Sequence, residues 1–167
     1  DPNAKLTIVN FADYQCPYCE KFFTDSEPKI ITDYVNSGKV KFVFKNLAFL
    51  GQESTDAANA ALCAKEQNKF WEYHDKLFSS QKGENQGGFA VANLKQFALD
   101  LGLNGGQFNS CLDGKKYDAQ VKADIAEANR VGFQSTPSTA IGKVPVVGAL
   151  PYDQMKTTID AQLAAAK

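Results

Sequence analysis

Phe11-Ala12-Asp13-Tyr14-Gln15-Cys16-Pro17-Tyr18-Cys19-Glu20-Lys21-Phe22-Phe23 carries a buried-strand pattern into two cysteines separated by two residues, and from there into a helical pattern. The strand, residues 5–12, is apolar or β-branched on both faces through Leu6, Thr7, Ile8, Val9 and Phe11, as a central strand requires. Pro17 suits the first position of a helix, where a missing N–H and a fixed φ cost nothing. The Cys16 sulfur is therefore expected to face free backbone N–H groups and the positive end of the helix dipole, which favour thiolate over thiol. Cys19 lies one turn further on, within reach of a small disulfide ring, and begins the apolar face Cys19, Phe22, Phe23, Ser26, Ile30, Ile31 and Tyr34. Cys16 reads as the sulfur that attacks or is attacked, and Cys19 as the buried one that resolves.

Two cysteines at this spacing also serve zinc sites and passive bridges. A zinc ribbon needs a second such pair or suitably spaced histidines, whereas the chain offers only Cys63, Cys111 and a single histidine. No metal site is expected, and the succession of strand, Cys-Pro-x-Cys and helix points to thiol-disulfide redox chemistry.

Working outward, the helix is predicted over 17–36 with a kink at Pro28 and a stop at Ser37-Gly38. Residues 40–45 set Val40, Phe42 and Phe44 against Lys41 and Lys45, a strand with one buried face; its link to the first strand through a helix predicts a parallel pair. From 51 to 131 every pattern is helical. An alanine-rich segment, 56–67, holds Cys63, and 68–79 sets Phe70, Trp71, His74, Leu77 and Phe78 along one side. Further helices are marked by Val91, Leu94, Phe97, Ala98 and Leu101, by Phe108, Cys111 and Leu112, and by Tyr117, Val121, Ile125 and Ala128. Strands return at Ser138-Thr139-Ala140-Ile141 and Val144-Pro145-Val146-Val147, around a Gly142-Lys143 loop that suits a type II′ hairpin, with Pro145 marking an edge. A last helix is expected over 151–165. The order defines an α/β fold with a mixed sheet and an inserted all-helical domain, divided as 1–50, 51–131 and 132–167.

At 167 residues and 44% hydrophobic, the chain can build an ordinary core without staples. A net charge of −1, with both signs interspersed, leaves no basic tract for nucleic acid or an anionic membrane. No apolar run approaches the roughly 20 residues that span a bilayer, and no signal-like segment opens the chain. The opening Asp1-Pro2-Asn3-Ala4, without methionine, reads as a mature, trimmed terminus.

The strand into Cys16-Pro17-Tyr18-Cys19, the segment from Asn68 through Phe70, Trp71 and His74 to Phe78, and Gly132-Phe133-Gln134-Ser135-Thr136-Pro137 occur in that order. Together they resemble the DsbA-like thiol-disulfide oxidoreductases of the thioredoxin superfamily, over nearly the whole chain. The resemblance implies a thioredoxin fold with a helical domain between its βαβ and ββα halves. It also implies a cis Thr136–Pro137 bond packed beside the cysteines, X-Pro being the only common cis peptide. Pro17, Tyr18, Thr136 and Pro137 become the residues that tune the pair. Two departures carry weight. Strong oxidases of the family place Pro-His between the cysteines, whereas Pro17-Tyr18 is the glutaredoxin choice. Bulky residues after the cis-proline are replaced by Ser138, Thr139 and Ala140, which predicts a shallower or more polar substrate groove.

Some relatives carry a second cysteine pair in the helical domain, so a structural disulfide between Cys63 and Cys111 is preferred to two buried thiols, although sequence does not determine connectivity. Asp13 and Glu20 flank the redox cysteines as candidates for tuning Cys16 or moving protons; the plainer reading makes them solvated loop and helix-start carboxylates. His74 reads as a hydrogen-bonded core or boundary residue, and Tyr14 and Tyr18 as exposed residues that touch substrate.

The implied reaction begins when a substrate thiolate attacks Cys16 of the disulfide and Cys19 departs; a second substrate thiol then displaces Cys16. The Cys16–Cys19 disulfide takes the place of a cofactor. Expected partners are cysteine-containing exported proteins and a membrane-bound, quinone-linked protein that reoxidises the pair, with no nucleic acid. A monomer in the periplasm or another extracytoplasmic space is expected, with any leader or membrane anchor trimmed. Three alternatives stand. A reductase would run the same cysteines in reverse, as Tyr18 suggests; an isomerase is disfavoured by the lack of a dimerisation domain; a non-catalytic peptide-binding or chaperone module would use the groove between Tyr18 and Pro137.

Overall fold

Alternation along the first strand sets the sheet. β1 (Leu6–Ala12) places Leu6 and Ile8 on one face and Val9 and Phe11 on the other, because successive side chains of a strand point to opposite sides. Both faces are covered, hence the unbroken apolar run. In this computed structural model, which describes residues 2–166 and so leaves Asp1 and Lys167 of the two outer segments outside, β1 is central. It pairs in parallel with β2 (Val40–Asn46), from Leu6 opposite Val40 to Ala12 opposite Asn46. On its other side it runs antiparallel to β3 (Ser138–Ile141), from Ile8 opposite Ile141 to Phe11 opposite Ser138. β4 (Val144–Val147) closes the order β2-β1-β3-β4 as an edge that tolerates Pro145. The β3–β4 loop turns at Gly142 with φ +60°, as a II′ hairpin needs at its first loop position.

The helix expected over 17–36 is broken into three pieces: α1 (Pro17–Asp25), α2 (Glu27–Ile30) and one π-type turn, Ile31–Val35. Pro28 has no N–H for the Thr24 carbonyl and its ring crowds that carbonyl, so the ladder fails there rather than bending gently. Ser26, at the break, turns its hydroxyl onto the Leu150 carbonyl at 2.9 Å. Phe22, Ile30 and Tyr34 then pack with Leu6, Ile8 and Phe42 against Met155 and Ile159 of α8 (Tyr152–Ala165).

Between β2 and β3 lie α3 (Gln52–Lys65), α4 (Phe70–Ser79), α5 (Val91–Asp100), α6 (Gly105–Asp113) and α7 (Asp118–Arg130). Ala57, Ala58, Ala60, Ala61 and Ala64 bury α3 on all sides and let its four neighbours approach closely. The helix starts earlier than its apolar pattern because its first turn is polar, and that turn carries the buried Ser54. Cys63 of α3 and Cys111 of α6 form a disulfide across 48 residues of sequence, with Cα atoms 5.8 Å apart. α4 is buried on two sides: His74 and Phe78 meet Phe44 of β2 and Phe23 of α1, while Tyr73 and Leu77 enter the helical core. Trp71, expected on the buried face, is 43% exposed; it overhangs edge strand β2 with its ring 6.1 Å from that of Phe42. α7 covers the second sheet face, where Ile125 and Ala128 meet Val9, Phe11 and Phe133. The helical core continues into the turn that carries Cys16, since Ala12, Tyr14, Cys16 and Cys19 belong to the same buried cluster as Tyr73, Cys63 and Cys111.

Candidate active site

β1 delivers the chain to a tight turn in which the Cys16 N–H donates to the Asp13 carbonyl at 3.0 Å. α1 starts at Pro17, with Cys16 in extended geometry as its cap. Cys16 and Cys19 are free thiols, and both are buried, at 6% and 1% exposed. Tyr18, between them in the chain, is 65% exposed.

The two sulfurs are driven apart electrostatically. Cys16 is lowered from an ordinary 9.0 to about 6, first by the hydrogen bond from the Cys19 thiol, against the opposing effect of burial. The Thr136 side chain and the backbone N–H groups of Cys19 and Tyr18 add to the lowering. The helix-start N–H groups that the sequence suggested thus contribute, but the neighbouring thiol contributes more. Cys19 is pushed well above its ordinary value by burial and by the hydrogen bond to, and charge of, Cys16. One proton, kept on Cys19, is what steadies the Cys16 thiolate. In its neutral form Cys16 donates to the Thr136 carbonyl at 3.5 Å. The Thr136–Pro137 bond is cis, and the Pro137 carbonyl accepts the Gly148 N–H at 2.8 Å.

Ser138 and Thr139 do not floor a groove. Both are buried, Ser138 donating to the Ser135 carbonyl at 2.6 Å and Thr139 Oγ1 accepting from Asn10 Nδ2 at 2.9 Å. Strand β3 is covered on both faces, so residues just after Pro137 point inward whatever their size. Asp13 corrects the solvated reading too. It is buried, and its oxygens accept the N–H groups of Gln15 at 2.9 Å, Phe49 at 3.0 Å and Leu50 at 3.1 Å, and the Ser54 hydroxyl at 2.6 Å. Burial still raises its pKa. The carboxylate fastens the catalytic turn to the start of α3, which folds over it. Glu20 is half-buried on the first turn of α1.

Tyr14, expected at the surface, is buried with its ring stacked on Phe44 at 5.1 Å and tilted on Phe78 at 4.9 Å. Its hydroxyl finds no hydrogen-bond partner among the described residues. His74 is a core residue as read: Nδ1 lies 2.9 Å from Asp75 Oδ1, while Nε2 is 4.0 Å from the carboxyl of buried Glu27. Burial lowers His74; burial and then the Asp75 charge push Glu27 up to about 8. Sequence reasoning missed Glu27, although it stands four residues after Phe23 and eight after Cys19 on the apolar face. It also missed Gln15 and Gln81, for which no periodicity gives a signal. Gln15 donates to Ser54 Oγ at 2.8 Å and accepts the Asn85 N–H at 2.6 Å. Among the described residues no three His, Cys, Asp or Glu side chains gather to hold a metal ion, and no helix is long and apolar enough to cross a membrane.

A paired thiolate and protonated thiol at a helix start, beside a cis-proline on a four-stranded mixed sheet, define a thiol-disulfide oxidoreductase. A family model described as Thioredoxin matches residues 1–161. Over 164 residues the chain is 31% identical to disulfide bond formation protein D of Bacillus subtilis, covering 96% of this chain and 74% of that protein. The crystal structure of oxidised BdbD from Bacillus subtilis superposes with a TM-score of 0.91 at 32% identity, covering 98% of this chain and 90% of that one. A periplasmic thioredoxin-like protein from Salmonella enterica serovar Typhimurium superposes with a TM-score of 0.77 at 29% identity, covering 96% and 86%. The chain belongs to the thioredoxin family, and within it is similar to disulfide bond formation protein D.

Proposed function

We propose that the chain is a disulfide-forming oxidase that hands its Cys16–Cys19 disulfide to cysteine-containing substrate proteins. The observation that carries this direction is the inequality of the two sulfurs, Cys16 near 6 and Cys19 well above its ordinary value. A stabilised Cys16 thiolate makes the reduced form stable and Cys16 a good leaving group, so the oxidised form readily gives up its disulfide. Substrate thiolate attacks the Cys16 sulfur, the S–S bond breaks, and Cys19 departs and is protonated. The second substrate thiolate then displaces Cys16. Two electrons pass from substrate to enzyme, and the pair itself is the redox centre, with no further cofactor. Tyr18, Pro17, Thr136 and Pro137 frame the attacked sulfur, and residues 51–131 act as an inserted domain. Names of relatives that form disulfides support the oxidase direction.

The reading extends to an extracytoplasmic location, supported by the periplasmic neighbour, to action as a monomer, and to a membrane-bound protein that reoxidises the pair. The depressed Cys16 value stabilises the folded reduced protein fully above about pH 9, and this advantage is lost as pH falls through about 6. The deciding measurement is the equilibrium reduction potential of Cys16/Cys19 against glutathione. A value near or above about −150 mV is expected; one below about −230 mV would overturn the oxidase in favour of a reductase.

A further inference from the structure

Gln81 follows α4 in the helical segment, yet its side chain reaches the redox turn. Its Nε2 donates to the Tyr14 carbonyl at 2.7 Å and to the Cys16 carbonyl at 3.3 Å. The Cys16 carbonyl is heavily used: it also accepts the N–H groups of Cys19 at 3.0 Å and Glu20 at 3.1 Å. The same Cys19 N–H helps to stabilise the Cys16 thiolate. One N–H shared between a carbonyl and a thiolate serves each less well than it would serve either alone. An amide that meets part of the carbonyl's demand leaves more of the Cys19 N–H to the sulfur. It also sets the positive end of its own dipole at the first turn of α1, where thiolate charge is held.

The loop that carries Gln81 is itself anchored to the turn. The Asn85 N–H donates to Gln15 Oε1 at 2.6 Å, and Asn85 Nδ2 to the Leu50 carbonyl at 2.9 Å. Gln15 and Gln81 thus both tie the turn to the helical segment, one from within the turn and one from the segment.

We propose that Gln81 is a positioning residue of the redox pair: by holding the Tyr14 and Cys16 carbonyls it keeps the first N–H groups of α1 on the Cys16 sulfur. The helical insertion thereby sets the oxidising strength of cysteines it does not contain. This rests on Cys16 being the reacting thiol.

The test compares reduced wild type with Gln81→Met, which removes the donor at nearly constant volume, and Gln81→Glu, which replaces it with an acceptor and a negative charge. Thiolate absorbance in the ultraviolet reads the acid constant of Cys16, and equilibration with glutathione reads the oxidising strength. In Gln81→Met both constants are expected to fall about three- to tenfold, the worth of one or two neutral hydrogen bonds. Gln81→Glu falls further, and decides the matter by itself if Gln81→Met does not fold. A low wild-type midpoint with unchanged variant curves overturns the proposal, even if the variants are less stable to urea, because that is the mark of packing alone. A wild type with no low midpoint overturns the reading of Cys16, and this proposal with it.

Discussion

The two cysteine pairs lie in one buried cluster in opposite states, one as free thiols and the other as a disulfide. Cys16 and Cys19 stand three residues apart at one helix start, so bridging them removes less freedom from the unfolded chain than a long-range bridge does. Cys63 and Cys111 join two packed helices across 48 residues, and their bond closes a long loop. Around the first pair, donors gather on one sulfur and burial keeps the proton on the other. Burial therefore does not tell a reactive cysteine from a structural one. What does is the set of hydrogen-bond donors facing each sulfur and the length of chain that the bridge closes.

The largest effect expected from breaking this contrast comes from exchanging the roles. Cys16→Ala should abolish oxidation of a reduced dithiol peptide. It should leave the urea midpoint of the reduced protein close to wild type only at acid pH, below the Cys16 value of about 6, losing stability relative to wild type as pH rises above it. The double substitution Cys63→Ala, Cys111→Ala should keep turnover yet lose about 2 to 4 kcal/mol in urea unfolding. Loss of turnover in the double variant, at a temperature where it is folded, would merge the two pairs into one functional unit.

The same contrast separates two buried carboxylates. Asp13 has four donors, whereas the nearest cation-forming group to the Glu27 carboxyl is the imidazole of His74, 4.0 Å away and beyond hydrogen-bond reach. With its pKa raised from 4.5 to about 8, Glu27 contributes stability that is full below about pH 4.5 and lost as pH rises through about 8. His74, lowered by burial, acts with the opposite sign, its contribution being lost as pH falls below 6.5. Glu27→Gln should therefore gain on the wild type by on the order of 2 kcal/mol between pH 5 and pH 8, measured by urea unfolding at each pH. Parallel pH profiles for the two proteins would show that Glu27 is better solvated than its contacts indicate.

A smaller effect sharpens the first pair itself. Tyr18→His places a cation between the two cysteines of the pair and should raise the acid constant of Cys16 about three- to fivefold, moving the glutathione equilibrium toward stronger oxidation. No change in the thiolate titration would mean that residue 18 faces substrate rather than the sulfur.

The parts of this molecule that were legible from residues alone are those governed by short-range periods. Apolar runs on both faces of residues 5–12 marked the central strand, and Gly142-Lys143 the hairpin. Cys-Pro-x-Cys marked the helix start. The reading faltered where a segment's surroundings lay far along the chain. Residues 17–36 look like one kinked helix, yet the ladder breaks at Ser26, whose hydroxyl finds the Leu150 carbonyl. Tyr14 and Asp13 look like loop-surface residues, and are buried because α3 and α4 close over the turn.

By itself the sequence determined the strand order and the Cys-Pro-x-Cys pair at a helix start, and it supplied the expectation that Cys16 is the sulfur that reacts, because these follow from spacing within a few residues. Tertiary structure alone decided the environment of each polar group. The donors to Asp13 come from Phe49, Leu50 and Ser54, and the acid facing His74 comes from α2. The amide on the Cys16 carbonyl comes from Gln81. Burial makes such groups depend on partners that packing supplies, and packing joins residues that no local period connects.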